Sequence, residues 1–123
     1  MSPQRQPNRG QATVELALAL PLVCLLLFGI VQVAVLGRDQ LAVQLAAREA
    51  ARAAAASGDP ASAGNAAAQR AVALRPLIVE MGESARTVTA TVRFTDHTDV
   101  PLIGALLPDV VLTATVTMAI EPP

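Results

Sequence analysis

Few side chains in this chain have types and spacing suited to chemistry. Glu15 stands five residues after Gly10 and directly before a long apolar run. An acid at the edge of hydrocarbon is costly to keep ionised, so such residues are functional candidates by default. Two readings of Glu15 stand. Its carboxylate pairs with a positive group that enters the same low-dielectric region, or it is a helix-start residue at headgroup level that favours the positive end of the helix dipole. Asp96, His97 and Asp99 form the one loop with metal-ligand residue types. Two carboxylates beside a lone histidine fall short of the several strong ligands a metal site uses, so no metal site is expected. Cys24 is the only cysteine; it lies in the apolar run and is expected to pack or touch lipid. Val23 before it is too large for a lipid-attachment box. There is no Ser nucleophile motif, no Cys–His pair and no Gly-rich phosphate loop; Gly58, Gly64 and Gly82 are scattered. The chain is not expected to be an enzyme or to hold a cofactor.

The element that must position Glu15 is the apolar run itself. From Leu16 to Val31 no residue carries a charge or an amide; Gln32 interrupts, and Val33 to Leu36 resume. Crossing roughly 30 Å of hydrocarbon takes about 20 residues, and the run fits. A secretory signal peptide usually has an apolar core of about 7–15 residues; this one is longer, and no good small-x-small cleavage site follows it. Arg5, Arg9 and the initiator amine precede the run, while Arg38 beside Asp39 follows it, which favours a cytoplasmic N-terminus. The chain is 53% hydrophobic but only 2% aromatic, with a net charge of −1. Nothing in that balance argues for nucleic acid.

Four regions are expected: a polar leader over residues 1–10, disordered until removed; a transmembrane helix over 11–37; an extracytoplasmic helical region over 38–76; and a small antiparallel β region over 77–123. The helix is read as continuing from near Ala12 to Ala56, on the order of 65 Å at 1.5 Å per residue, with Gly37 a weak point and Pro21 tolerated inside it. Ala42, Ala46, Ala50 and Ala54 form a small-xxx-small ladder. It is either a stripe that admits another backbone or a consequence of alanine abundance. Ser57-Gly58-Asp59-Pro60 reads as a stop followed by a cap. A second helix follows over roughly Ala61 to Leu74, with Gly64 and Asn65 as soft spots, ended by Arg75-Pro76. Leu77 to Met81 is a short strand, followed by a turn at Gly82-Glu83-Ser84. Arg86 to Thr95 and Leu112 to Ile120 alternate in period two, apolar against threonine, as half-buried strands do. Their apolar faces need the helices as cover, and the core is small. Between these strands, Leu102, Ile103, Leu106 and Leu107 are too apolar for an idle loop; they pack under the sheet, lie on the membrane or dock a partner. The fold class expected is thus α+β and membrane-anchored: a long N-terminal transmembrane helix extended outside the membrane, a short second helix, and a small antiparallel sheet of two to three strands.

Gly10, four residues, Glu15 and a long apolar run resemble the processing site of type IV prepilins. More of the chain resembles one family, the TadE-like proteins of the tight-adherence (Flp) pilus machinery. The residues that carry this are Arg9-Gly10-Gln11-Ala12-Thr13-Val14-Glu15-Leu16-Ala17-Leu18, Pro21-Leu22, Gly29-Ile30, and the later Ala46-Ala47-Arg48-Glu49-Ala50-Ala51-Arg52. The tail, two alternating strands ending in Thr115-Val116-Thr117-Met118-Ala119-Ile120-Glu121, is similar too. Leu16 departs from the aromatic usual after the Glu, and Ala119-Ile120 stand where an Arg often precedes the final Glu.

The resemblance implies a minor pilin or pseudopilin, matured by a prepilin peptidase, that helps assemble or prime a Flp-type pilus. Gly10 would be the residue before the cut, Gln11 the mature N-terminus and Glu15 the membrane acid. The implied partners are the prepilin peptidase, the major pilin, a companion pseudopilin and the inner-membrane assembly platform driven by a cytoplasmic ATPase. The implied place is the cytoplasmic membrane, single-pass, with the N-terminus inside. The alternatives are an unprocessed, membrane-anchored accessory or binding protein, and a small secreted domain released by signal peptidase.

Overall fold

The computed structural model describes residues 7–96 and 109–120. Helix α1 spans Pro7–Ala55, 49 residues, roughly 70 Å at 1.5 Å per residue. It runs unbroken through Pro21 and Gly37. The expectation of a disordered leader up to Gly10 is corrected for Pro7–Gly10, which are helical. Proline has the backbone angle of a first helical turn and needs no amide donor there, and nothing between Pro7 and Ala12 ends a helix. The rest of the expected leader lies outside the described residues.

Helix α2 spans Pro60–Ala71, and the Asp59 carboxylate accepts from the Ser62 amide at 3.4 Å. It stops three residues before the expected Leu74. Val72 is already extended, with φ −137° and ψ 157°. The Arg75 guanidinium explains the early exit: it donates to the carbonyls of Gln69 (2.7 Å), Val72 (3.1 Å) and Leu74 (2.6 Å). It thereby satisfies acceptors that further helix would otherwise have used.

Three antiparallel strands follow, in the order β1 (Leu77–Glu83), β2 (Thr87–Asp96), β3 (Val110–Ala119). The expected turn at Gly82-Glu83-Ser84 is displaced. Gly82 pairs with Thr89 and Glu83 with Val88, and the Ser84 amide closes the turn on the Thr87 carbonyl at 2.8 Å. The alternating faces are as the period-two pattern predicts: Val88, Ala90 and Val92 are fully buried, while the threonines of β2 and β3 face outward, Thr89 and Thr117 sharing a 2.9 Å hydroxyl contact.

The core lies between the sheet and the outer half of α1, with α2 at its side. Val43, Ala46, Ala47, Ala50 and Ala51 of α1 pack with Ala68, Leu77, Ala90, Val92, Leu112 and Ala114. Ala54 and Ala55 pack with Val88. Gly64, expected as a soft spot, is a packing point. A Cβ there would lie 2.6 Å from Met81 Sδ and 3.3 Å from the Ala50 carbonyl oxygen.

Candidate processing and membrane-assembly site

Gly10, Gln11 and Glu15 all lie on the exposed surface of α1. Among the described residues nothing within 4 Å would meet a Cβ at Gly10. Between Gly10 and Gly37, Glu15 is the only charged side chain. The residues around and after it are exposed although apolar: Val14 57%, Leu16 67%, Leu18 74%, Leu22 69%. The most apolar 18-residue window of α1 has a mean hydropathy of 2.6 and is 6% buried. A helix this apolar, and this little covered among the described residues, has the length and composition to cross a membrane. Among the described residues no ion pair reaches Glu15.

The ladder Ala42, Ala46, Ala50 and Ala54 sits elsewhere on α1. Ala46, Ala50 and Ala54 are fully buried against this chain's own α2 and sheet, and Ala42 is half-buried. The close backbone approach they permit is thus an internal one, with Gly64 of α2 over the Ala50 carbonyl.

Two buried polar residues extend this seam toward the N-terminus. Gln32 and Asp39 are each 5% exposed. At 3.6 residues per turn, Gln32, Asp39, Val43, Ala46, Ala50 and Ala54 fall within about 40° of a single line along the helix. Read as a mere interruption of the apolar run, Gln32 gave no signal by composition; its helical phase with the alanines was the available one. Arg38 beside Asp39 keeps its side chain 79% exposed, with Nε 3.6 Å from the Asp39 carboxylate. One residue on, the Gln40 amide donates to the Thr113 carbonyl at 3.3 Å and ties β3 to α1.

Cys24 is exposed on the apolar half of α1. Of the expected weak metal set, Asp96 is buried at the end of β2, while His97 and Asp99 lie outside the described residues. So do Leu102, Ile103, Leu106 and Leu107. Among the described residues no three His, Cys, Asp or Glu side chains come together as a metal site would require.

No curated protein and no solved structure matches the chain. The family described as TadE-like protein matches residues 10–52. The match begins at Gly10, takes in Glu15 and the exposed apolar half of α1, and ends at the exposed Arg52, next to the buried Ala51. Over residues 10–52 the chain is thus similar to the TadE-like family, the one that the opening and Ala-Arg-Glu stretches of the sequence resemble.

Proposed function

We propose that this chain is a non-enzymatic minor pilin or pseudopilin of a tight-adherence pilus, cut after Gly10 by a prepilin peptidase. In this reading Gln11 becomes the N-terminus and Glu15 the acid that pairs with the amine of a neighbouring subunit. The major pilin, a companion pseudopilin and an inner-membrane assembly platform are its partners, and the N-terminal side of α1 faces the cytoplasm.

The observation that carries the reading is the TadE-like match over residues 10–52, which starts at the proposed cut. The lone exposed carboxylate of Glu15 supports it. A charge entering low dielectric without a partner costs several kcal/mol, roughly, and pairing offsets much of that. The amine created at Gln11 is a partner that the same cut supplies.

The test is the N-terminal residue of the protein taken from its own cells' membranes. A start at Gln11 is the expected result; an intact Met1 or Ser2 would make the chain an unprocessed anchored accessory protein. Glu15→Ala should then insert normally yet fail to support pili, seen by electron microscopy and membrane fractionation. Full piliation in that variant would remove Glu15 from the assigned role.

A further inference from the structure

The two outer strands of the sheet differ in how their edges are guarded. β3 is ten residues long and carries no charge, glycine or proline. Natural sheets usually blunt such an edge, because a row of free amides and carbonyls is a template for another strand. β1 is shorter and includes Gly82, Glu80 and Glu83.

Hydrogen-bond parity identifies the free groups. The Ile120 amide bonds the Arg86 carbonyl at 2.8 Å, so even-numbered residues of β3 turn their backbone groups to β2. Odd-numbered ones turn outward, as the Gln40 bond to the Thr113 carbonyl also requires. On β1, the Ser84 amide points to β2, and the outward Leu77 carbonyl is taken by Gln69 at 3.1 Å. Each edge is thus capped by a glutamine at one end. Among the described residues Thr115, Thr117 and Ala119 on β3, and Val79, Met81 and Glu83 on β1, keep outward backbone groups without a hydrogen bond.

Direction and level decide which strands can meet. β3 starts beside Gln40 and ends in the cluster of Ala54, Ala55 and Met118, so it runs along α1 in the same sense. β1 is antiparallel to β2 and therefore parallel to β3. Copies anchored through α1 in one membrane keep their helices parallel. Antiparallel pairing of two β3 strands would turn one helix over; parallel pairing of β3 with β1 of the next copy would not. The registers place Glu80, Thr91 and Thr115 in one row. Setting the next copy's β1 beside β3 at the same height puts its Glu80 opposite Thr115. Its outward Val79 and Met81 groups then flank the outward Thr115 groups, as a parallel ladder requires. Faces match too, since Glu80 and Thr115 both lie on the solvent side of the sheet. Val79 comes next to Ala114, on the core side.

We infer that the open edge of β3 takes β1 of a second copy of this chain as a parallel strand. The contact is heterologous: each copy offers one edge and uses the other, so copies add side by side without a vertical step. The inference rests on the membrane-anchor part of the reading above and holds whether or not Gly10 is a cut site.

Disulfide trapping in native membranes tests it. The full chain carrying Cys24→Ala, Glu80→Cys and Thr115→Cys should give, on oxidation, a ladder of dimers, trimers and larger species. The two single-cysteine chains expressed together should stop at the dimer. Thr117→Pro added to the paired-cysteine chain should collapse the ladder to monomer. That amide points away from β2, so proline deletes no bond within the sheet. Absence of a ladder, dimers from Thr115→Cys alone, or a ladder that survives Thr117→Pro would each overturn the inference. Resistance of the same membranes to carbonate extraction reports the anchor separately.

Discussion

The two halves of α1 use opposite kinds of residue for contact. From Val14 to Val33 the helix carries Leu, Val, Ile and Phe, and nearly all are exposed. From Val43 to Ala55 the buried residues are almost all alanine. Large apolar side chains face outward in one half, which has the length and composition of a membrane anchor; lipid takes such side chains without any need for fit. Small ones face inward in the other because the sheet and α2 come close to the helix backbone. Hydrophobicity alone would have assigned the core to the wrong half. What separates the halves is side-chain volume, together with whether the chain has anything to lay against the helix.

The sharpest way to break this contrast is to exchange volume between the halves. Ala50→Leu adds a branched side chain where the residue is fully buried against Ala68 and the sheet. Overpacking of this kind should cost about 3 kcal/mol. Leu18→Ala, at a residue 74% exposed, should leave the stability of the sheet region unchanged. With no Trp or Tyr to report, amide hydrogen exchange of β2 in micelles is the suitable readout, since its slowest amides report global opening. Equal loss from the two substitutions would show that the halves are not distinct environments.

Much of this arrangement was legible beforehand. The long helix follows from the length of the uncharged apolar run, the second from the signals that flank it, with Asp59-Pro60 marking its start by local chemistry alone, and the faces of β2 and β3 from period-two alternation. What sequence reasoning missed depends on tertiary contact. Gly82 suggests a turn by type, but the register with Thr89 draws it into β1. Gly64 suggests a weak helix, and only the nearness of Met81 and Ala50 shows why a side chain is excluded there. Gln32 looks like a flaw in a membrane span, whereas it is buried in phase with Asp39 and Val43. Gly10 and Glu15 are distinctive by spacing, yet both are simply exposed on α1, so the fold of the described residues carries no mark of the role proposed for them.

Gly64 offers a finer test of the close approach that the alanine half permits. Gly64→Ala gains roughly 1 kcal/mol of helix propensity. It also forces Met81 to move, since its Sδ stands 2.6 Å and its Cε 2.7 Å from the new methyl, and it presses the Ala50 carbonyl at 3.3 Å. Repacking of this order costs about 2 kcal/mol, so a net loss of about 1 kcal/mol is expected. In a Met81→Ala background the thioether is gone and the same substitution should become neutral or stabilising. A double-mutant cycle with no coupling between the two positions would mean that Met81 is not what excludes a side chain at Gly64.

The smallest effect is expected on the solvent face of the sheet, away from both halves of α1. Glu80 and Arg93 form a 3.4 Å ion pair with both side chains about half exposed. Water screens such a pair and ordering two long side chains offsets part of the attraction, so exposed pairs contribute about 0–1 kcal/mol. Glu80→Gln should lower stability by under about 0.5 kcal/mol, and the difference should vanish in high salt. A larger, salt-insensitive loss would mean that Glu80 supports the edge of β1 by more than its charge. Near-neutrality has a further consequence, because the same position carries one of the two cysteines for disulfide trapping. If removing the carboxylate leaves the fold intact, a missing ladder in Glu80→Cys, Thr115→Cys chains counts against the pairing of edges rather than against the integrity of β1.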